Sequence, residues 1–237
     1  MAPKKDASKK DRVMKVAGAV KTDSVYLEGR LANAFTSVRR RAFGYNSKNT
    51  CSAVSVALAL NYLALERRDT IVPEAWLAEL LDDGLPGNAD ALDRIYPQAG
   101  KLSRYLIETC GMGGASFASR ITWPLNKYSR KMLPPGAGIK LKWTLFPRMA
   151  TIRKSIDANI PVLITTTVAK SFSWHTMLVY GYRECYGKAE LLVHSGWYRT
   201  ACNDHYSGAD GDRFFQKEIW LDKGLAVFGY YFSFPES

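Results

Sequence analysis

Apolar positions recur at helical spacing through the first half of the chain and alternate, or run together, through the second. From about Leu31 to Gly111 the signals are helical. The polar run Gly44 to Thr50 leads into Cys51-Ser52-Ala53-Val54-Ser55-Val56-Ala57-Leu58, rich in helix formers, with Val54, Ala57, Leu58 and Leu65 spaced for one apolar face. Pro73 to Leu81 reads as a second helix, opened by Pro in its first turn and closed at Asp82-Asp83-Gly84. Ala89 to Ile95 and Lys101 to Thr109 follow, the latter with Leu102, Tyr105, Leu106 and Thr109 on one side, before a break at Gly111-Met112-Gly113-Gly114. Pro147 to Asn159 is again helical, with Ile152 and Ile156 four apart. Strands are expected at Pro161–Val168, Trp174–Tyr182, Ala189–His194, Glu218–Leu221 and Leu225–Phe234, where β-branched and aromatic residues dominate between Gly and Asp breaks. The pattern is α+β, helices first and sheet second.

At 237 residues, 47% hydrophobic and 23% charged, the chain suits one globular domain with a real core. Residues 1–30 read as a basic, flexible segment and residues 31–237 as the domain, with a helical part to about residue 115 and a β-rich part from about residue 138. No apolar run approaches the roughly 18–20 residues of a membrane span, and no apolar signal-peptide core follows the lysine-rich start. Cytoplasm is the default expectation.

The net charge of +11 is unevenly placed. Beyond the N-terminal lysines and Arg39-Arg40-Arg41, the stretch Lys127–Lys154 contains no acid. It holds Lys127, Arg130, Lys131, Lys140, Lys142, Arg148, Arg153 and Lys154, with Tyr128, Trp143 and Phe146 between them. Such a face suits weak contact with an anionic polymer or surface, though a solvated basic face with no partner is the plainer expectation. Trp143 and Trp220 read as core residues. No helix-turn-helix, zinc-finger or RNP-like pattern supports sequence-specific nucleic-acid readout.

Chemistry concentrates around the cysteines and three histidines. The four cysteines, Cys51, Cys110, Cys185 and Cys202, are too widely spaced in too large a chain to suggest a disulfide scaffold. Cys110, before Gly111, reads as a small buried hydrophobe. Cys51 stands on the first turn of a helix, where unpaired N–H groups and the positive dipole end favour thiolate. A cysteine nucleophile needs a base, and the base a partner that orients it. His175 opens the run His175-Thr176-Met177-Leu178-Val179-Tyr180-Gly181-Tyr182; His194 closes the next strand in Val193-His194-Ser195-Gly196-Trp197. A hairpin joined near Glu184–Lys188 draws the two imidazoles toward each other. Cys185, His194, Cys202 and His205 also form a possible N/S donor set for zinc, at spacings that match no common module.

A cysteine opening a long helix, then His-x-x-x-Val-Tyr-Gly-Tyr, then a polar residue before Gly-Trp, resembles the papain-like cysteine peptidases, bacterial C39-like branches above all. The order Cys, His, polar residue fits that clan, whereas caspase-type enzymes run His before Cys. His175 follows Cys51 by 124 residues, against roughly 130–150 in papain-type chains.

The resemblance implies a papain-like fold, an N-terminal helical lobe whose nucleophile helix packs on a C-terminal antiparallel β lobe. It also implies a hydrolase of peptide or amide bonds that needs no cofactor and no metal and takes a peptide or protein substrate. Cys51 maps to the nucleophile and His175 to the base. His194 stands where these enzymes usually carry Asn or Asp, with Asn203 or Asp204 as the alternative. The usual oxyanion Gln is replaced by Tyr45, leaving Asn46 or Asn49 with the Cys51 N–H. A catalytically silent binding module with a basic face is the competing expectation.

Overall fold

The structure, a computed structural model, describes residues 27–31, 50–66, 70–76, 101–113, 117–135, 138–168, 172–196 and 219–234. The elements in chain order are β1 (Leu27–Arg30), α1 (Cys51–Glu66), α2 (Lys101–Glu108), α3 (Ala118–Met132), β2 (Lys140–Leu145), α4 (Met149–Asp157), β3 (Val162–Thr166), β4 (His175–Cys185), β5 (Lys188–His194), β6 (Ile219–Asp222), a 3-10 turn at Lys223–Leu225, and β7 (Ala226–Ser233). The seven strands form one sheet in the order β2-β7-β3-β4-β5-β6, with β1 also paired to β4. Every pairing is antiparallel. The fold is therefore α+β. Of the helix expected at Pro73–Leu81 only residues 73–76 are described, with 74–76 helical, and the one expected at Ala89–Ile95 lies outside the described residues.

α1 differs from its expected one-sided character. Every residue from Cys51 to Ala64 is buried, so apolar side chains are needed on all sides. It packs on β4 and β3 of the sheet and against α2. Leu58, Leu60 and Leu63 are fully buried, each worth about 2–5 kcal/mol against truncation to Ala. The helices and the sheet share one continuous core rather than two separate ones. Polar ties cross it: Tyr62 donates to Asn159 Oδ1 at 2.6 Å, and Tyr128 to the Ile71 carbonyl at 2.6 Å.

α3, β1 and β2 go beyond the sequence expectation. α3 tolerates Pro124 because Ile121, Leu125 and Tyr128 are buried on one face. β2 is an edge strand whose lysines, Lys140 and Lys142, face solvent. The four residues Leu27–Arg30, assigned on sequence to a flexible N-terminal segment, pair with Gly181–Glu184.

The aromatic residues of the basic stretch divide. Tyr128 is fully buried, whereas Trp143 is half exposed, against its expected place in the core. Trp220 is partly buried beneath the guanidinium of Arg183, 4.2 Å from the ring centroid. Among the described residues no helix is long and apolar enough to cross a membrane.

Candidate active site

Thr50 stands at the N-cap of α1, a position that favours Thr, and its carbonyl accepts the N–H of Val54 at 3.0 Å. Cys51 is thereby the first helical residue, and the first-turn N–H groups lie outside the helical ladder. Cys51 is 7% exposed. A thiolate there gains from the helix dipole and those N–H groups.

β4 brings its first residues to the same place. Ser55 Oγ donates to the Thr176 carbonyl at 2.9 Å, and the Ser52 and Thr176 hydroxyls lie 3.4 Å apart. Cys51 precedes Ser52 and His175 precedes Thr176, so both chemical residues stand one position from a direct contact. The hydroxyl chain continues from Thr176 to Thr165 at 2.9 Å and from Thr165 to the Tyr230 phenol at 3.5 Å. All five side chains belong to residues that are almost wholly buried. Burial pushes the Tyr230 phenol up to about 12; the Thr165 hydrogen bond lowers it and the neighbouring Cys51 raises it. Tyr230 thus stays a neutral hydroxyl beneath the thiol at ordinary pH. Sequence reasoning passed over this network. Ser52 and Ser55, three apart in an otherwise apolar helix, were its available signal.

His175 opens β4 directly after Trp174, whose φ of +50° lies in the left-handed region that non-glycine residues rarely adopt. His175 is 4% exposed and its ring stacks on Phe172 with centroids 5.8 Å apart. Successive strand residues point to opposite sides, so the imidazole and the Thr176 hydroxyl leave β4 on different sides and the ring lies outside that network. His175 Nε2 is 2.7 Å from the Ser195 carbonyl oxygen. A carbonyl only accepts, so Nε2 carries the proton in this contact and Nδ1 is the basic nitrogen of the neutral ring.

The hairpin behind this contact is well specified. Tyr186 and Gly187 form its two-residue turn with φ of +52° and +75°, the geometry that suits the strands' twist. A register shift between Val179 and Gly181 then pairs His194 with Leu178. A one-residue shift exchanges faces, which sets His194 on the side of Leu178 and Thr176. Its Nδ1 accepts the Gly196 N–H at 3.0 Å. The polar group that meets His175 Nε2 is accordingly the backbone carbonyl of Ser195, one residue past His194. A backbone acceptor has no signature in sequence.

Asn46, Asn49, Trp197, Asn203 and Asp204 lie outside the described residues. So do Cys202 and His205 of the possible zinc set. Its other two members, Cys185 and His194, stand at opposite ends of the hairpin, Cys185 paired with Lys188 and His194 six residues along β5. That is about 20 Å of strand. They do not share an ion.

No family model and no curated protein matches the chain. Among solved structures, one similar chain is the Amb a 11 cysteine protease, a ragweed pollen allergen, in its proform. It is 16% identical with a TM-score of 0.38, over 89% of this chain and 66% of that one. The present chain thus spans just under two thirds of that protein's length. So distant a likeness says nothing about chemistry, which rests on the residues themselves.

Proposed function

We propose that the protein is a papain-like cysteine hydrolase of peptide or amide bonds, with Cys51 as nucleophile and His175 as general acid and base. The observation that supports this reading most is the pair of contacts from Ser52 and Ser55 to Thr176, which join the start of α1 to the start of β4. His175 Nδ1 takes the Cys51 proton, and the thiolate attacks the substrate carbonyl. His175 then protonates the departing amine, leaving an acyl-thioester on Cys51. Water, deprotonated by His175, hydrolyses the thioester and regenerates the thiol. The Ser195 carbonyl holds Nε2–H throughout and supports the imidazolium between the two steps. The Cys51 N–H serves the oxyanion together with a side-chain donor, for which Asn46 and Asn49 are the candidates. His194, next to Ser195, would hold the orienting segment in place through Gly196.

Acyl-enzyme trapping tests this reading. An activated p-nitrophenyl acyl ester should release one equivalent of nitrophenol in a burst and leave the acyl mass on the Cys51 peptide. Absence of the adduct on Cys51, or an equal adduct on every cysteine, would leave a silent papain-like binding module as the better description.

A further inference from the structure

α3 carries a cationic ridge whose start adjoins Phe117, the partner of Trp174. Arg120, Trp123, Lys127 and Arg130 follow one another at intervals of three, four and three residues, which places them along one face of the helix. Together with Cys110 and Gly111 they line a cleft of about 520 Å³. Trp123 is 74% exposed, a large indole left open to solvent among cations. No Asp or Glu occurs between Glu108 and Asp157, so no acid of this long segment neutralises the ridge. At the helix start, Phe117 meets Trp174 with ring centroids 5.7 Å apart, and both rings are half exposed. Trp174 directly precedes His175. An apolar pair at the candidate site therefore continues into a line of positive charge.

We infer that this ridge binds an acidic peptide segment of the substrate. The inference rests on the proposed hydrolase for its orientation, not for the binding itself. The Phe117–Trp174 pair takes an apolar side chain near the reacting amide, and carboxylates further along meet Arg120, Lys127 and Arg130. Arg favours carboxylates through paired N–H donors. From Phe117 to Arg130 the helix rises about 20 Å, the span of roughly six extended peptide residues. The first 21 residues of this chain, with seven cations against two acids, carry the wrong charge to occupy it.

The test uses the full chain with Cys51→Ala, so that binding is read without turnover. Two fluorescein-labelled nonapeptides serve as probes, Phe followed by Glu alternating with Gly, and the same with Gln for Glu. Anisotropy should show the Glu peptide binding at least about tenfold more tightly, with the advantage shrinking as salt rises. The triple change Arg120→Gln, Lys127→Gln, Arg130→Gln should erase the advantage at an unchanged melting temperature. If that variant fails to fold, the single changes and the salt series decide. Equal binding of the two peptides, no effect of salt, or tighter binding of an oligo-dT strand at the same salt would overturn the assignment. Glu-peptide binding without hydrolysis by the unmodified protein would refute the proposed function and leave the ridge standing.

Discussion

Cys51 and Cys110 are buried to nearly the same degree, 7% and 6% exposed, and each sits at a helix end beside a buried tyrosine. They differ in which end. Cys51 begins α1, where the dipole and first-turn N–H groups favour a negative sulfur, and a network of hydroxyls lies beneath it. Cys110 follows the end of α2, where Gly111, at φ +81°, and Met112 turn the chain back with N–H bonds to the Ile107 and Leu106 carbonyls. That end presents carbonyl oxygens. Burial pushes the Cys110 thiol up, and Lys127 and Lys131 only partly offset it. Burial is thus alike at the two thiols, and the polarity of the nearest backbone is what differs.

The largest effects should come from exchanging the two cysteines for alanine. Cys51→Ala should lower amide hydrolysis at least about a thousandfold, while Cys110→Ala leaves kcat/KM within about twofold. His175→Ala should cost about 10²–10⁴ in kcat. Comparable losses from Cys51→Ala and Cys110→Ala would break the contrast.

Smaller effects test the scaffolding on each side. Thr176→Val deprives the Thr165 hydroxyl of its closest partner and should cost about 1–3 kcal/mol in urea unfolding. Alkaline titration reads the network's tyrosine. An unfolded tyrosine ionises near pH 10, whereas Tyr230 keeps its proton to about 12. Between these values the unfolded chain binds fewer protons, so the stability fully present below pH 10 falls as pH rises, by about 1.4 kcal/mol per pH unit. Tyr230→Phe should remove that share of the slope, and Tyr128→Phe a similar share beside Cys110, where burial also raises the phenol. Gly111→Ala meets no atom within 4 Å, so it should cost only the left-handed backbone penalty of about 1 kcal/mol.

Much of this contrast was legible before the fold. The Thr-Cys start of a helix, the strand opened by His175 and the turn near Glu184–Lys188 are all local signals, and the structure has each of them. The missed elements depend on distant partners. α3 hides behind Pro124, and the core holds Ile121, Leu125 and Tyr128 against that proline's local cost. β2 reads as a lysine-rich stretch, and only its pairing with β7 makes it a strand. Within the site, the register shift in β4 and the Ser195 carbonyl decide what His175 meets, and neither is a side-chain property. The hydroxyls of Ser52, Ser55, Thr165 and Thr176 lay in apolar runs, where each looked like a tolerated small residue.

Alkylation of the native protein by iodoacetamide near pH 7, followed by peptide mass spectrometry, tests the claim that Cys51 is the nucleophile. The expected result is modification of Cys51 at least about tenfold faster than Cys110, an advantage that His175→Ala reduces. Equal rates at the two cysteines, or an inert Cys51 in protein that melts normally, would contradict it.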